Sequence, residues 1–532
     1  MSFLRSSGVL LHPVSFPSNY GIGDFGESGY KFIDFLEKSG QTLWQVLPLG
    51  PTSFGDSPYQ SFSTFAGNIL LISPDILIKK GLLDESIKNE IPQFSNNKID
   101  YGNVIKYKTG LYKKAFEKLK KTKNKAFDEF CEKNKNWLED YALFVSLKDY
   151  FIEERKNEWE SSEFKKFCKK TKGKLSENVQ KDYYYGAVWS TWPISLVKRE
   201  AATIKKWQSK LADSILYYKF LQFEFFEEWF ELKKYANSKD IKIIGDIPIF
   251  VAYDSADAWA NPKNYYMDSE GFPTLVAGVP PDYFSATGQL WGNPLYKWSE
   301  HKNSKYKWWI DRIKSVLSMV DIVRIDHFRG FESFWQVPFG EETAINGKWT
   351  KGPGADLFNA IKKELRSLPI IAEDLGIITD EVNELRDKLQ FPGMKVLQFA
   401  FDDSENNDYL PHNYDKNCVV YTGTHDNDTT LGWYRNANEN EKDKLRRYMN
   451  VSGENVSWDL IRLAMSSTAV FSIFPLQDIM KLDESARMNT PSVAGGNWQW
   501  RYTDDMLRDE YSETLMYLTK LFARKTVIKK DK

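Results

Sequence analysis

At 532 residues with a formal net charge of −1, the chain can bury a large core and carries no global field favouring nucleic acid or an anionic membrane. Hydrophobic residues at 42% and charged residues at 27% fit a soluble globular protein, and no apolar run approaches the roughly 18 residues that would suggest a membrane span. Cys131, Cys168 and Cys418 are too few and too scattered for a disulfide framework or a Cys-based metal site, and Met1-Ser2-Phe3-Leu4-Arg5 lacks the apolar core of a signal peptide, so a cytoplasmic protein is expected.

Residues 8–12 read as a first strand, and 26–39 as a helix with Phe32, Phe35 and Leu36 on one face. Residues 43–47 form a second strand, followed by a loop of turn formers over 53–61. Strand, helix, strand and long loop is how a parallel sheet begins. From about residue 76 to 205 the chain is rich in Lys, Glu and aromatics with helical patterning, which marks a mainly helical insertion. Its most charged part, 152–181, includes Lys165-Lys166 and Lys169-Lys170, but interspersed acids favour a solvated helical face over an RNA-binding patch.

The α/β alternation then resumes. An aromatic helix over 214–236 precedes a strand at 241–248, and a Gly/Pro/aromatic loop runs over 278–294. Residues 278–294 read equally as a lid or as a connector packed on the surface. A helical stretch at 302–318 leads into a β-branched run at 319–323, and further strands are expected at 369–376, 395–399, 418–421 and 469–474, separated by helices. Eight strands with intervening helices predict an α/β fold, a (β/α)8 TIM barrel with mainly helical inserted subdomains, with an open doubly wound sheet as the alternative. Residues 1–75 and 206–532 would build the barrel and 76–205 the insertion. Gly21-x-Gly23-x-x-Gly26 follows a proline-bearing segment rather than a strand and reads as a turn.

The strand entering 323–330 ends in Arg324 and Asp326, which project to one side because strand side chains alternate. A guanidinium beside a carboxylate favours its ionised form, so Asp326 reads as an anionic nucleophile or as half of a structural ion pair. Two more strand ends carry acids, Glu373 and Asp426. In a barrel such ends converge on one cleft, and converging anions raise at least one pKa. The apolar run Ile370-Ile371-Ala372 before Glu373 would favour its protonated form. One carboxylate facing one carboxylic acid is the equipment of a glycosidase. The structural alternatives are Asp374 capping a turn and Asp426 capping a helix.

The segments Arg324-Ile325-Asp326-His327-Phe328-Arg329-Gly330, Ala372-Glu373-Asp374-Leu375-Gly376 and Thr424-His425-Asp426-Asn427 resemble the signatures of the amylomaltases. These are 4-α-glucanotransferases, or disproportionating enzymes, of the α-amylase clan. Supporting matches are Asp56 to Ser61, Gly245-Asp246-Ile247-Pro248 and the loop 278–294, so that the resemblance spans nearly the whole chain. It implies that Asp326 is the nucleophile, Glu373 the general acid/base and Asp426 the carboxylate gripping donor hydroxyls. It also implies a substrate-binding set of Tyr59, Asp246, Arg324, His327 and His425, with Phe284, Gln289 and Trp291 in the loop over the glucan. Maltooligosaccharides and α-1,4-glucans are the implied partners of a monomer or weak homo-oligomer, with no cofactor and no metal. The bias toward transfer rather than hydrolysis comes from the resemblance alone. Two departures stand out: residues 152–185 look longer than the compact family form, and Phe54 stands where many members have Tyr.

Overall fold

A computed structural model describes residues 3–281 and 285–525. Eight parallel strands make one sheet: β1 (Ser6–Leu10), β2 (Leu43–Gln45), β3 (Lys242–Pro248), β6 (Ile322–Asp326), β9 (Ile370–Ala372), β10 (Gly393–Val396), β11 (Cys418–Tyr421) and β12 (Phe471–Pro475). They pair in the order β10-β11-β12-β1-β2-β3-β6-β9. The two outer strands meet where the Ala372 amide donates to the Pro392 carbonyl at 2.9 Å, which brings the sheet round into a nearly closed barrel. The expected barrel is the fold observed, and the open sheet is not.

The sequence accounts for the closure. Strand residues that face the surrounding helices, such as Val323, Ile325 and Ile370, are fully buried and β-branched, as a sheet covered by helices requires. Close strand approach needs small residues. A Cβ on Gly8 would lie 2.2 Å from the Leu43 carbonyl oxygen, so the β1–β2 contact admits only glycine there. The outer shell includes helices Glu27–Lys38, Ala212–Ser238, Lys307–Met319, Ala355–Leu365, Asp380–Leu389, Val456–Ser466 and Asp509–Leu521.

Between β2 and β3 the chain is mainly helical. Helices Tyr101–Leu119 and Lys125–Arg155 pack on Ala212–Ser238 through aromatic pairs such as Phe116–Phe220 and Phe127–Phe223. The charged stretch after residue 155 forms helices Ser162–Thr171 and Glu177–Tyr185, whose Phe164, Phe167 and Tyr184 bury against Phe272.

A second sheet was not foreseen. Strands β4 (Leu275–Val279), β5 (Gln289–Pro294), β7 (Ser333–Pro338) and β8 (Lys348–Lys351) form an antiparallel sheet in the order β5-β4-β7-β8. Residues 278–279 and 289–294 of the expected loop are therefore strand within this sheet, and residues 288–291 line the cleft at the barrel mouth. No helix among the described residues is long and apolar enough to cross a membrane.

Candidate active site

The parallel register places Asp246 of β3 directly opposite Arg324 of β6, and Pro248 opposite Asp326. Arg324 is consequently fixed between two carboxylates. Its Nη1 donates to Asp246 Oδ2, and its Nη2 donates to Asp326 Oδ1 at 3.0 Å. Tyr59, from the loop after β2, donates its hydroxyl to the same Asp246 oxygen at 2.8 Å. Arg324 and Asp246 are buried, whereas the Asp326 side chain keeps 31% exposure toward the cleft. A buried guanidinium shared in this way is held by its geometry, and losing Asp246, its fully buried partner, would leave its charge poorly compensated out of water.

Immediately after Asp326 the chain reverses at His327, which adopts the left-handed conformation (φ 55°, ψ 48°). This conformation is uncommon for a residue other than glycine. The reversal turns the His327 amide onto Glu373 Oε2 at 2.6 Å, while the Leu375 amide donates to Oε1 at 2.9 Å. Backbone bonds from Glu373 N to Ile325 O and from Phe328 N to Glu373 O, both 3.0 Å, lock the two strand ends together. Asp426 lies beyond β11. Its Oδ1 accepts from Asn489 Nδ2 at 2.6 Å and is 3.4 Å from His425 Nε2, and its side chain is 46% exposed.

A cleft of about 580 Å³ is lined by Asp326, His327, His425 and Asp426 together with the rings of Tyr59, Trp291 and Trp498. Tyr59 stacks on His425 at 5.0 Å, and the edge of one ring meets the other between Trp291 and His327 at 4.7 Å. Burial pushes the carboxyls of both Asp326 and Glu373 above the ordinary range, and Arg324 opposes that for each. Arg324 donates directly to Asp326, and two backbone amides donate to Glu373, so each carboxyl has donors that favour its ionised form against burial. Burial also keeps the Tyr59 hydroxyl protonated.

A family model described as 4-alpha-glucanotransferase matches residues 11–185 and 160–507. A 4-alpha-glucanotransferase of Synechocystis is 48% identical over 529 residues, covering 98% of each chain, and one of Clostridium butyricum is 45% identical over 97% of this chain and 100% of its own. The chain belongs to the 4-alpha-glucanotransferase family. An amylomaltase structure from Streptococcus agalactiae, in complex with acarbose, superposes with a TM-score of 0.90 at 36% identity over 98% of this chain and 100% of that one.

Asp326, Asp426, Tyr59, His327 and His425 line the cleft together, and Asp246, Arg324 and Glu373 are joined to them by hydrogen bonds to Tyr59, Asp326 and the His327 amide. Gln289 and Trp291 reach the cleft from β5, where the Trp291 indole donates to Gln289 Oε1 at 3.1 Å. Phe284 lies outside the described residues. The setting of Glu373 differs from expectation. The apolar side chains before it face the core, while its own carboxyl meets two amide N–H groups that favour the ionised form and work against burial. Asn489, Arg487 and Trp498 were not foreseen as site residues. Asn489 fixes the Asp426 carboxylate, Arg487 Nη2 donates to the Asp426 carbonyl at 2.7 Å, and Trp498 packs on Tyr59 and His425. The run Gly495-Gly496-Asn497-Trp498 reads as a loop, and no periodicity marks the segment.

His327 is half-buried on the cleft wall, and its desolvation there, with Arg329 nearby, pushes its pKa down to about 3. Its folded pKa lies below the ordinary value of about 6.5, so the stability it confers is complete above that value and is lost as pH falls. Asn tolerates the same backbone conformation without titrating. Urea unfolding of the native enzyme should therefore weaken between about pH 6 and pH 4 more steeply than that of His327→Asn, by about 1 kcal/mol per pH unit. Equal slopes would show that His327 takes up its proton while folded.

Proposed function

We propose that the enzyme moves α-1,4-glucan segments between maltooligosaccharides by retaining double displacement, with Asp326 as nucleophile, Glu373 as general acid/base and Asp426 gripping the donor sugar. One observation carries this reading. Arg324 donates to Asp326, and the very next amide, that of His327, donates to Glu373. The nucleophile and the acid/base of this reading thus stand on adjoining strands, linked through the Asp326-His327 peptide, and burial favours a proton shared by the pair.

The chemistry follows from that placement. Arg324 engages Asp326 Oδ1, which leaves Oδ2 to attack the anomeric carbon. Glu373 protonates the glycosidic oxygen, the bond to the leaving chain breaks, and a glucosyl ester forms on Asp326. Glu373, now a carboxylate, takes the proton of an incoming sugar 4-hydroxyl. That oxygen displaces Asp326, and two inversions give net retention. Asp426 is held by Asn489 and His425 yet open to the cleft, where it accepts bonds from donor hydroxyls. The Asp246–Arg324–Tyr59 network holds the nucleophile in place. The rings of Tyr59, Trp291 and Trp498 present apolar faces that suit sugar over water in the second step. In the same reading, residues 1–75 and 206–532 form the catalytic barrel and 76–205 a helical insertion, which is supported by the run of helices between β2 and β3.

Incubation with maltotriose tests the proposal. Glucose plus a ladder of longer oligomers is the expected outcome. Shortening alone would make the enzyme a hydrolase, and an unchanged substrate would leave only a binder.

A further inference from the structure

A second cavity, of about 360 Å³, opens between helix Lys125–Arg155, the end of the loop after β2 and helix Lys307–Met319, and it shares no lining residue with the catalytic cleft. Three rings shape it. Phe65 and Trp137 lie nearly parallel, with centroids 6.4 Å apart at 16°, and Trp308 stands at 90° to Phe65 at 6.3 Å. Its three acids are already engaged. Asp140 pairs with Arg199 at 2.5 Å, Asp311 with Lys307 at 2.6 Å, and Asp257 accepts from both the amide and the hydroxyl of Thr64 at 2.8 Å.

Neutral groups remain. Among the described residues, the side-chain amides of Asn136 and Asn264 have no hydrogen-bond partner. Rings flanked by neutral amides suit a ligand with apolar faces and many hydroxyls. An anion would meet three carboxylates here, and a cation would have to displace Arg199 or Lys307. The position is equally informative. Thr64 and Phe65 end the same loop whose Ser57, Tyr59 and Gln60 line the catalytic cleft, and Asp257 clamps that end.

We propose that this cavity is a second carbohydrate site, binding a short run of glucosyl units and tethering a long α-glucan beside the cleft. The proposal rests on the α-glucan reading of the cleft itself. Calorimetry with maltoheptaose on Asp326→Asn, which should bind without turnover, separates the two. The expected result is two sites per chain, falling to one in Asp326→Asn/Asn136→Trp. Asn136 is exposed on a helix surface, so an indole there fills the cavity without entering the core. The milder Asn136→Ala should weaken the second site about three- to tenfold, with a melting temperature unchanged. One site that survives Asn136→Trp would overturn the proposal and leave the cleft reading intact, and so would two sites that both survive it. One site that disappears with Asn136→Trp would support the cavity and count against the cleft, and no binding at all would overturn both.

Discussion

Asp326→Asn should fold, bind maltooligosaccharide with near-native affinity and lose about four orders of magnitude or more in transfer rate. The amide is nearly isosteric, and Arg324 keeps its bond to Asp246, so the barrel interior is preserved. The amide has no anionic oxygen to form the glucosyl ester and is no competent leaving group for the second displacement. The loss should therefore appear in kcat rather than KM. Initial rates on maltotriose, set beside calorimetric affinity, measure both. Turnover near the native value would remove Asp326 from the role of nucleophile.

Glu373→Gln should fail differently. The Glu373 carboxyl accepts amide N–H bonds on both oxygens, whereas a glutamine amide can accept on only one and turns its NH2 toward the other donor. A modest loss of stability should accompany the change. Transfer from maltotriose should drop about 10²- to 10⁴-fold, the usual contribution of general acid–base catalysis. A glucosyl fluoride donor, whose leaving group departs without a proton, should restore the first displacement but not the second, which needs a base to activate the acceptor. Partial rescue with accumulation of the covalent intermediate is thus expected, measured as a burst of fluoride. No rescue would count against Glu373 as the acid.

Several parts of this fold were legible from residues alone. The strand Cys418–Tyr421 coincides with the Cys-Val-Val-Tyr run, and the acids at strand ends were visible because a buried strand is a continuous apolar run that stops where a polar residue appears. The antiparallel sheet was not legible. Gly278, Pro280-Pro281 and Gly288 break β4 and β5 into what looks like loop, and β8 (Lys-Trp-Thr-Lys) has no buried residue to set an alternation. Glu373 shows a different limit: neighbours in sequence suggested an apolar pocket, but the donors that surround the carboxyl come from His327 and from the turn beyond it. Asn489 and Arg487 reach Asp426 from some sixty residues away, through a segment with no repeating pattern. Such contacts belong to tertiary structure, and local spacing carries no trace of them.

Arg324 marks the boundary between inference and geometry. Its nearness to Asp326 follows from strand alternation, yet its bond to Asp246 depends on the β3–β6 register. A one-residue slip would turn every side chain of β6 to the opposite face and would bury Asp326 among the outer helices. The apolar face of Val323 and Ile325 fixes that register, so the core that stabilises the barrel also aims the nucleophile.

The most direct test is to react Glu373→Gln with an α-maltosyl fluoride, quench with acid, digest and locate the adduct by mass spectrometry. A maltosyl ester on the peptide bearing Asp326 is the predicted result. Fluoride release with the sugar attached elsewhere, or with no covalent adduct at any time point, would contradict double displacement through Asp326.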